Sequence, residues 1–258
     1  MPYITINSIA RNEGFMPAKV FFCLFFALSM TACATGPAAN PTDPLEPFNR
    51  RMFAINEGVD KAVLKPVAEG YRAAVPRPMR TGVSNFFDNL EDLWSSFNGV
   101  LQLRPLIAAD NFMRFSVNTF FGLRGLLDVA SEMGIERHSE DLGKTLGRWG
   151  VPSGPYLVMP LFGPSTVRDA TTITIENSYN PVSRIDDIPT RNSATALRIV
   201  DTRTGLLRLT DMLDDMALDK YSFSRDAFLQ KRRAEIYRPG QDNEDDKASA
   251  PSTSADKK

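Results

Sequence analysis

Residues Trp149–Val167 read WGVPSGPYLVMPLFGPSTV, and the fold turns on how this stretch is read. It carries no charge, and it nearly matches the roughly 20 residues a helix needs to cross a bilayer. Yet Pro152, Pro155, Pro160 and Pro164, with Gly150, Gly154 and Gly163, forbid one continuous helix. An apolar, broken backbone lying alone in lipid would leave its peptide groups unpaired. It is tolerated only where protein packs on it or where it lines a cavity. Three forms stay open: a core loop, a short hairpin, or part of a pore wall. In each case the neighbouring segments must build the body around it.

Those neighbours carry helical patterns punctuated by Pro and Gly. Phe48, Met52, Ile55, Val59 and Val63 recur every three or four residues, with Pro47 in the first turn and Pro66 predicted to end the helix. A short helix over 68–74 precedes the breaker Pro76-Arg77-Pro78. Val83, Phe86, Phe87 and Leu90 form one stripe, and Leu93, Trp94, Phe97, Val100 and Leu101 another, closed by Pro105. In residues 106–121 the aromatic positions Phe112, Phe115, Phe120 and Phe121 do not keep to one narrow face. A helix apolar nearly all round is buried or sits in lipid. Gly122 and Gly125 bracket a turn into residues 126–133. Ser139 is expected to cap a short helix ending near Gly147, and Ser165 one over 166–178. The β-branched run Thr171–Ile175 leaves a strand possible there. Leu197, Val200, Leu207, Met212, Leu213 and Met216 fit a longer amphipathic helix or two. A last helix, Ser224–Tyr237, carries Arg225, Lys231, Arg232 and Arg233, either as a solvated face or as a contact for anionic headgroups.

The ends of the chain speak of an envelope address. Val20–Met30 is an apolar run after Lys19 and before Thr31-Ala32-Cys33, the layout of a secretory signal peptide over residues 1–32. As a helix that run is roughly 17 Å long at about 1.5 Å per residue, too short for a hydrocarbon core of roughly 30 Å. Met30-Thr31-Ala32-Cys33 resembles the lipobox of bacterial lipoproteins, so Cys33 is the expected lipidation site. Met16-Pro-Ala-Lys would make a signal of normal proportions, and Met16 is the expected true start. Ala34 stands where Asp would retain an enteric-type lipoprotein in the inner membrane, which points to the periplasmic face of the outer membrane. Residues 33–42 read as a lipidated tether, 43–238 as one domain, and 239–258, without a large apolar residue, as a disordered tail.

Composition narrows the chemistry. A formal net charge of −1 gives no field for nucleic acid. Cys23 falls in the signal and Cys33 at the cleavage point, so the mature body has no disulfide or Cys nucleophile. His138 is the one histidine, and no multi-His metal site is expected. It is read as a surface-loop residue, since near neighbours such as Ser139 and Asp141 rarely face one another as a triad needs. No nucleotide, hydrolase-elbow or zinc-protease fingerprint is present. No cofactor and no enzymatic activity are expected. Phe accounts for 17 of 258 residues, and that excess favours contact with lipid over chemistry on a dissolved substrate.

From Asp43 to Pro181 the motifs resemble the MlaA (VacJ) lipoproteins, which traffic phospholipid at Gram-negative outer membranes. The resemblance rests on Asp43-Pro44-Leu45-Glu46-Pro47-Phe48-Asn49-Arg50, on Val83-Ser84-Asn85-Phe86-Phe87-Asp88-Asn89-Leu90, and on Asp141-Leu142-Gly143-Lys144-Thr145-Leu146-Gly147. It continues through Gly154-Pro155-Tyr156-Leu157, Gly163-Pro164-Ser165 and Arg168-Asp169-Ala170. Leu93 and Thr172 depart from the usual pattern, and the last third matches more loosely. The resemblance implies an all-α, ring-shaped domain in one membrane leaflet, with the Pro/Gly-broken segment near a central amphipathic channel. Phospholipid mislocalised in the outer leaflet would pass through it to a soluble periplasmic carrier, beside trimeric porins, preserving lipid asymmetry. On that picture Gly154, Pro155, Tyr156 and Pro160 belong to the channel region, and Phe112, Phe115, Phe120 and Phe121 to the lipid-facing rim. Two other readings compete: a scaffold lipoprotein that stabilises porins or the cell surface without transport, and a lipid-hydrolysing enzyme.

Overall fold

The structure, a computed structural model, describes residues 43–237. The predicted signal peptide, Cys33, the tether and the tail lie outside the described residues. Helix α1 (Glu46–Val59), a π-helical segment (Asp60–Leu64) and α2 (Lys65–Ala74) follow one another without a break. The expected stop at Pro66 is therefore absent. A proline ring collides with the carbonyl four residues earlier, here that of Ala62. Ala62 lies in the π segment, where Lys65 N–H bonds five residues back to the Asp60 carbonyl, and this wider winding accommodates the ring.

Helix α3 (Arg77–Leu101) and α4 (Pro105–Phe120) form the most extensive helix pair. Their close approach needs Gly99, where a Cβ would stand 2.9 Å from the Ala108 nitrogen. A single turn, α5 (Val129–Glu132), and α6 (Leu142–Arg148) follow. The cap of α6 is Asp141, whose carboxylate accepts from Lys144 N–H, and not Ser139, whose hydroxyl donates to Glu91 at 2.8 Å.

The Trp149–Val167 stretch resolves into a short hairpin, the one departure from all-helical architecture among the described residues. Strand β1 (Tyr156–Met159) pairs antiparallel with β2 (Gly163–Thr166), in register Tyr156 to Thr166. The outer edge of β1 is completed by side chains of α1. Asn49 donates to the Tyr156 carbonyl at 3.0 Å and accepts from Val158 N–H at 2.8 Å. Asn56, two turns on, donates to the Met159 carbonyl and accepts from Leu161 N–H. Two amides thus stand in for a third strand and satisfy backbone groups that would otherwise be stranded.

Helix α7 (Val167–Tyr179) is capped by Thr166, one residue past the expected Ser165. Its β-branched run stays helical: the Thr171 and Thr172 hydroxyls donate back to the carbonyls of Arg168 and Asp169. A 3-10 turn (Pro181–Arg184) leads to α8 (Ile188–Met216), capped by Asp187, and α9 (Lys220–Ile236), capped by Asp219. The packing closes on itself. From α1 it passes to β1, β2, α9, α6, α3, α8 and α2, which rejoins α1 through the π segment. Among the described residues no helix is long and apolar enough to cross a membrane.

Candidate functional site

The burial pattern of α3 and α4 is partly the reverse of a soluble protein's: Phe87, Ile107, Ala108 and Val117 are buried as expected, but many polar residues are buried with them and large apolar ones are exposed. The buried face of α3 carries Asn89, Asp92, Ser95, Ser96 and Asn98, while Phe86, Leu93, Phe97 and Val100 are exposed. In α4, Asn111, Arg114 and Asn118 are buried, while Leu106, Phe112 and Met113 face outward. Most of the interior polar groups are paired, with Asn89 Oδ1, Gln102 Oε1 and Trp94 Nε1 as exceptions. Arg114 donates to Asp128 at 2.9 Å, to Asp92 at 3.3 Å and to the Ile135 carbonyl at 2.6 Å. Arg137 bonds the other oxygen of Asp92 at 2.8 Å. Burial pushes the Asp92 carboxyl above its ordinary range, and the two guanidiniums only partly oppose this. A polar interior of this kind is stable only when satisfied. An apolar exterior of this kind marks contact with lipid or protein.

The expected rim residues fall on that exterior: Phe120 is 81% exposed, Phe121 75% and Phe112 56%, with Phe115 half-buried. Leu103 and Leu123 join them at turn positions with φ of 57° and 53°. A left-handed backbone is strained for leucine. Here it holds apolar side chains outward at both ends of α4. Leu161 and Phe162, at the hairpin tip, are also exposed.

A cleft of about 240 Å³ lies between α3, the 139–141 segment, the end of α7 and α8. Phe87, Leu90, Trp94 and Tyr179 give it apolar walls, and Glu91, Asp141, Glu176 and Arg198 give it charge. Asp141 and Glu176 also line a second cleft, bounded by β2, α7 and α9. Glu176 accepts Leu142 N–H at 2.8 Å. Its carboxyl is pushed up to about 7, first by burial and then by the negative charge of Asp141. Burial acts the same way on Asp141, but Arg232, bonded to both its oxygens at 2.6 and 2.9 Å, holds it below the ordinary carboxylate range. Arg232 also reaches Asp169 at 2.9 Å, so one side chain of α9 ties together α6 and α7.

The expected channel residues are not gathered at this cleft. Gly154, with φ of 66°, and Pro155 lie exposed before the hairpin, and Pro160 lies exposed at its turn. Tyr156 is turned inward. It is 1% exposed and packs against Tyr221 and Phe228, so its ring is part of the core. Alternation along the strand sends Tyr156 and Val158 inward together. His138 is buried, contrary to the surface reading. Its backbone pairs with Asn111, and Nε2 lies 3.4 Å from Asp110. Ser139 and Asp141 turn to Glu91 and Arg232 instead. Glu176, Tyr179 and Arg198 could not be read from the sequence because the groups they meet, Trp94, Glu91 and Asp141, lie 35 to 107 positions away in the chain. The only available signal was Trp94 within an apolar stripe.

A family model described as MlaA lipoprotein matches residues 41–235. The chain belongs to the MlaA lipoprotein family. It is 36% identical over 194 residues to the intermembrane phospholipid transport system lipoprotein MlaA of Escherichia coli, covering 74% of this chain and 76% of that protein. The protein of the same name from Haemophilus influenzae is 32% identical over 226 residues, covering 84% and 90%. An uncharacterized protein of Rickettsia bellii is 33% identical over 198 residues, covering 76% and 78%. A structure solved in work on the maintenance of bacterial outer membrane lipid asymmetry superposes with a TM-score of 0.66 at 35% identity, over 76% of this chain and 99% of that one. The MlaA fold is therefore shared by the greater part of this chain.

Proposed function

We propose that this MlaA-family chain is an outer-membrane lipoprotein that lets mislocalised phospholipid leave the outer leaflet through its amphipathic cleft. A soluble periplasmic carrier then takes the lipid, and lipid asymmetry is preserved. The observation that carries this reading is the partly inverted burial: exposed apolar side chains of α3 and α4 cover buried polar ones, beside a cleft with both kinds of wall. A headgroup crossing an apolar slab unaided loses its hydration without compensation. Polar groups along the path lower that barrier, while Phe112, Phe120, Phe121 and Leu103 hold the body in one leaflet. No bond is broken, so the chain acts as a conduit and not as an enzyme. Lipid on Cys33 directs the body to the periplasmic face of the outer membrane, trimeric porins sit beside it, and direction comes from the carrier and an ATP-driven inner-membrane complex.

The test is complementation in a Gram-negative strain lacking its own family member, read as resistance to detergent with chelator and as surface-exposed phospholipid. The full chain is expected to restore both. Asn177→Phe, which fills the cleft from an exposed position, is expected to restore neither while remaining in the membrane. Full rescue by Asn177→Phe would instead favour a scaffold that stabilises porins or the surface without transport. Gly154→Glu tests the segment before the hairpin in the same way. Intact asymmetry in that variant would remove Gly154, Pro155 and Pro160 from the lipid path.

A further inference from the structure

The cleft has an aromatic wall that reaches the outside of the molecule. Phe97 and Trp94 on α3 stack with centroids 5.5 Å apart and planes within 29°. Trp94 and Tyr179, the last residue of α7, stack at 5.9 Å and 16°. The Arg184 guanidinium lies over the far face of the series, 5.2 Å from the Tyr179 centroid. Phe97 is 51% exposed among the apolar residues of the rim, whereas Trp94 and Tyr179 line the cleft. Three ring systems therefore run in line from the rim to the cleft, bridging α3 and α7.

We infer that Phe97, Trp94 and Tyr179 form a binding track for the fatty-acyl tail of a phospholipid, leading sideways from the apolar rim into the cleft. The inference rests on the transport reading above and adds to it a lateral entry and the groups that receive the tail. With their faces covered by one another, the stacked rings present their C–H edges side by side, a continuous apolar surface for the chain laid along it. The cleft's charges are kept off that surface. Glu91 accepts the Ser139 hydroxyl at 2.8 Å, and Asp141 is held by Arg232. Two groups suit the polar end of the same lipid. Arg198 projects into the cleft with its nearest carboxylate, Glu91, 3.9 Å away, which leaves the guanidinium open to a phosphate oxygen. Trp94 Nε1–H is buried and has no acceptor among the described residues. An ester carbonyl at the head of the tail is an acceptor of the right kind. A lipid so held keeps its tail on the rings and its headgroup at the charges, and neither end crosses the wrong medium.

The two tryptophans make the track observable, because Trp149 is 59% exposed on the exterior and Trp94 lines the cleft. The full chain is placed in phosphatidylethanolamine–phosphatidylglycerol vesicles with or without bromine on the acyl chains. Trp149→Phe leaves Trp94 as the only reporter, and Trp94→Phe leaves Trp149. Both are expected to be quenched by brominated tails. Tyr179→Glu, at a position 55% exposed and so compatible with folding, puts a charge on the track. It is expected to abolish most of the Trp94 quenching, to leave Trp149 quenching unchanged, and to be rescued by Tyr179→Phe. Trp94 quenching that ignores Tyr179→Glu would mean that Trp94 senses only the surrounding leaflet, and the track would be wrong while the transport reading stood. No quenching of either tryptophan in the unaltered track would mean that the body does not enter the leaflet, and both would fall.

Discussion

Asn49 is fully buried and makes three bonds: to Asp43 Oδ1 at 2.9 Å, to the Tyr156 carbonyl and from Val158 N–H. Replacing it with alanine leaves a buried strand carbonyl and amide without partners, at about 1–3 kcal/mol per group. Asn49→Ala is expected to lower the denaturation midpoint clearly in detergent solution, and Asn56→Ala, at a half-buried position, to lower it less. Glu176 gives a pH dependence. Its carboxyl titrates near 7 in the folded chain and near the ordinary carboxylate value when unfolded, so the folded state holds the proton more tightly. The stability contributed by the protonated form is complete below about 4.5. It is lost as pH rises through about 7. Glu176→Gln keeps an acceptor for Leu142 N–H and removes the titration. Unfolding curves at pH 5 and 8 should then differ less in the variant than in the parent. The sequence reading could not find Glu176, because its shifted titration comes from Asp141 and from burial, neither of which is local in the chain.

At the scale of elements, the helix pair α3–α4 was partly legible: the breaker Pro76-Arg77-Pro78 and the stop at Pro105 bound the segment, and the two stripes between them, Val83–Leu90 and Leu93–Leu101, lie on one continuous helix. What the stripes did not reveal is which way they point. A periodic apolar face normally turns inward, yet here the stripes divide: Phe86, Leu93, Phe97 and Val100 turn outward, Phe87, Leu90 and Trp94 turn to the cleft, and Asn89, Asp92, Ser95 and Asn98 are buried. Periodicity fixes an angle around the helix and not its partner, so lipid outside and protein inside leave the same pattern. The approach of the two helices depends on Gly99. Gly99→Val is expected to force α4 away from α3, at about 1–3 kcal/mol for overpacking. Loss of thermal stability with helix content retained at low temperature would check it. Pro66 teaches the complementary lesson: a breaker in sequence is only a breaker for α-helical winding, and the π segment before it removes the clash.

For the molecule as a whole, closure rests on few side chains. Arg232 joins α9 to Asp141 of α6 and Asp169 of α7, and its side chain is 15% exposed. Removing one partner of a buried ion pair costs about 3–5 kcal/mol, so Arg232→Ala is expected to unfold far more readily than Lys231→Ala, whose side chain is 76% exposed. Denaturant titration of the two in parallel decides this. Because the exterior around Phe112, Phe120 and Phe121 is itself apolar, Cys33→Ala should lose palmitate labelling while part of the chain still sediments with membranes. A wholly soluble variant would make the lipid the sole anchor. The chain's own letters determined the helical class, the family and the Phe-rich segment, because those follow from local pattern and from motifs in order. The tertiary structure alone decided that Trp149–Val167 is a hairpin clamped by two asparagines, that Tyr156 is core, and that Trp94, Glu176, Tyr179 and Arg198 share a cleft. The physical reason is that a local pattern records a residue's own preference, whereas burial, shifted titration and a cleft arise from groups brought together from distant parts of the chain.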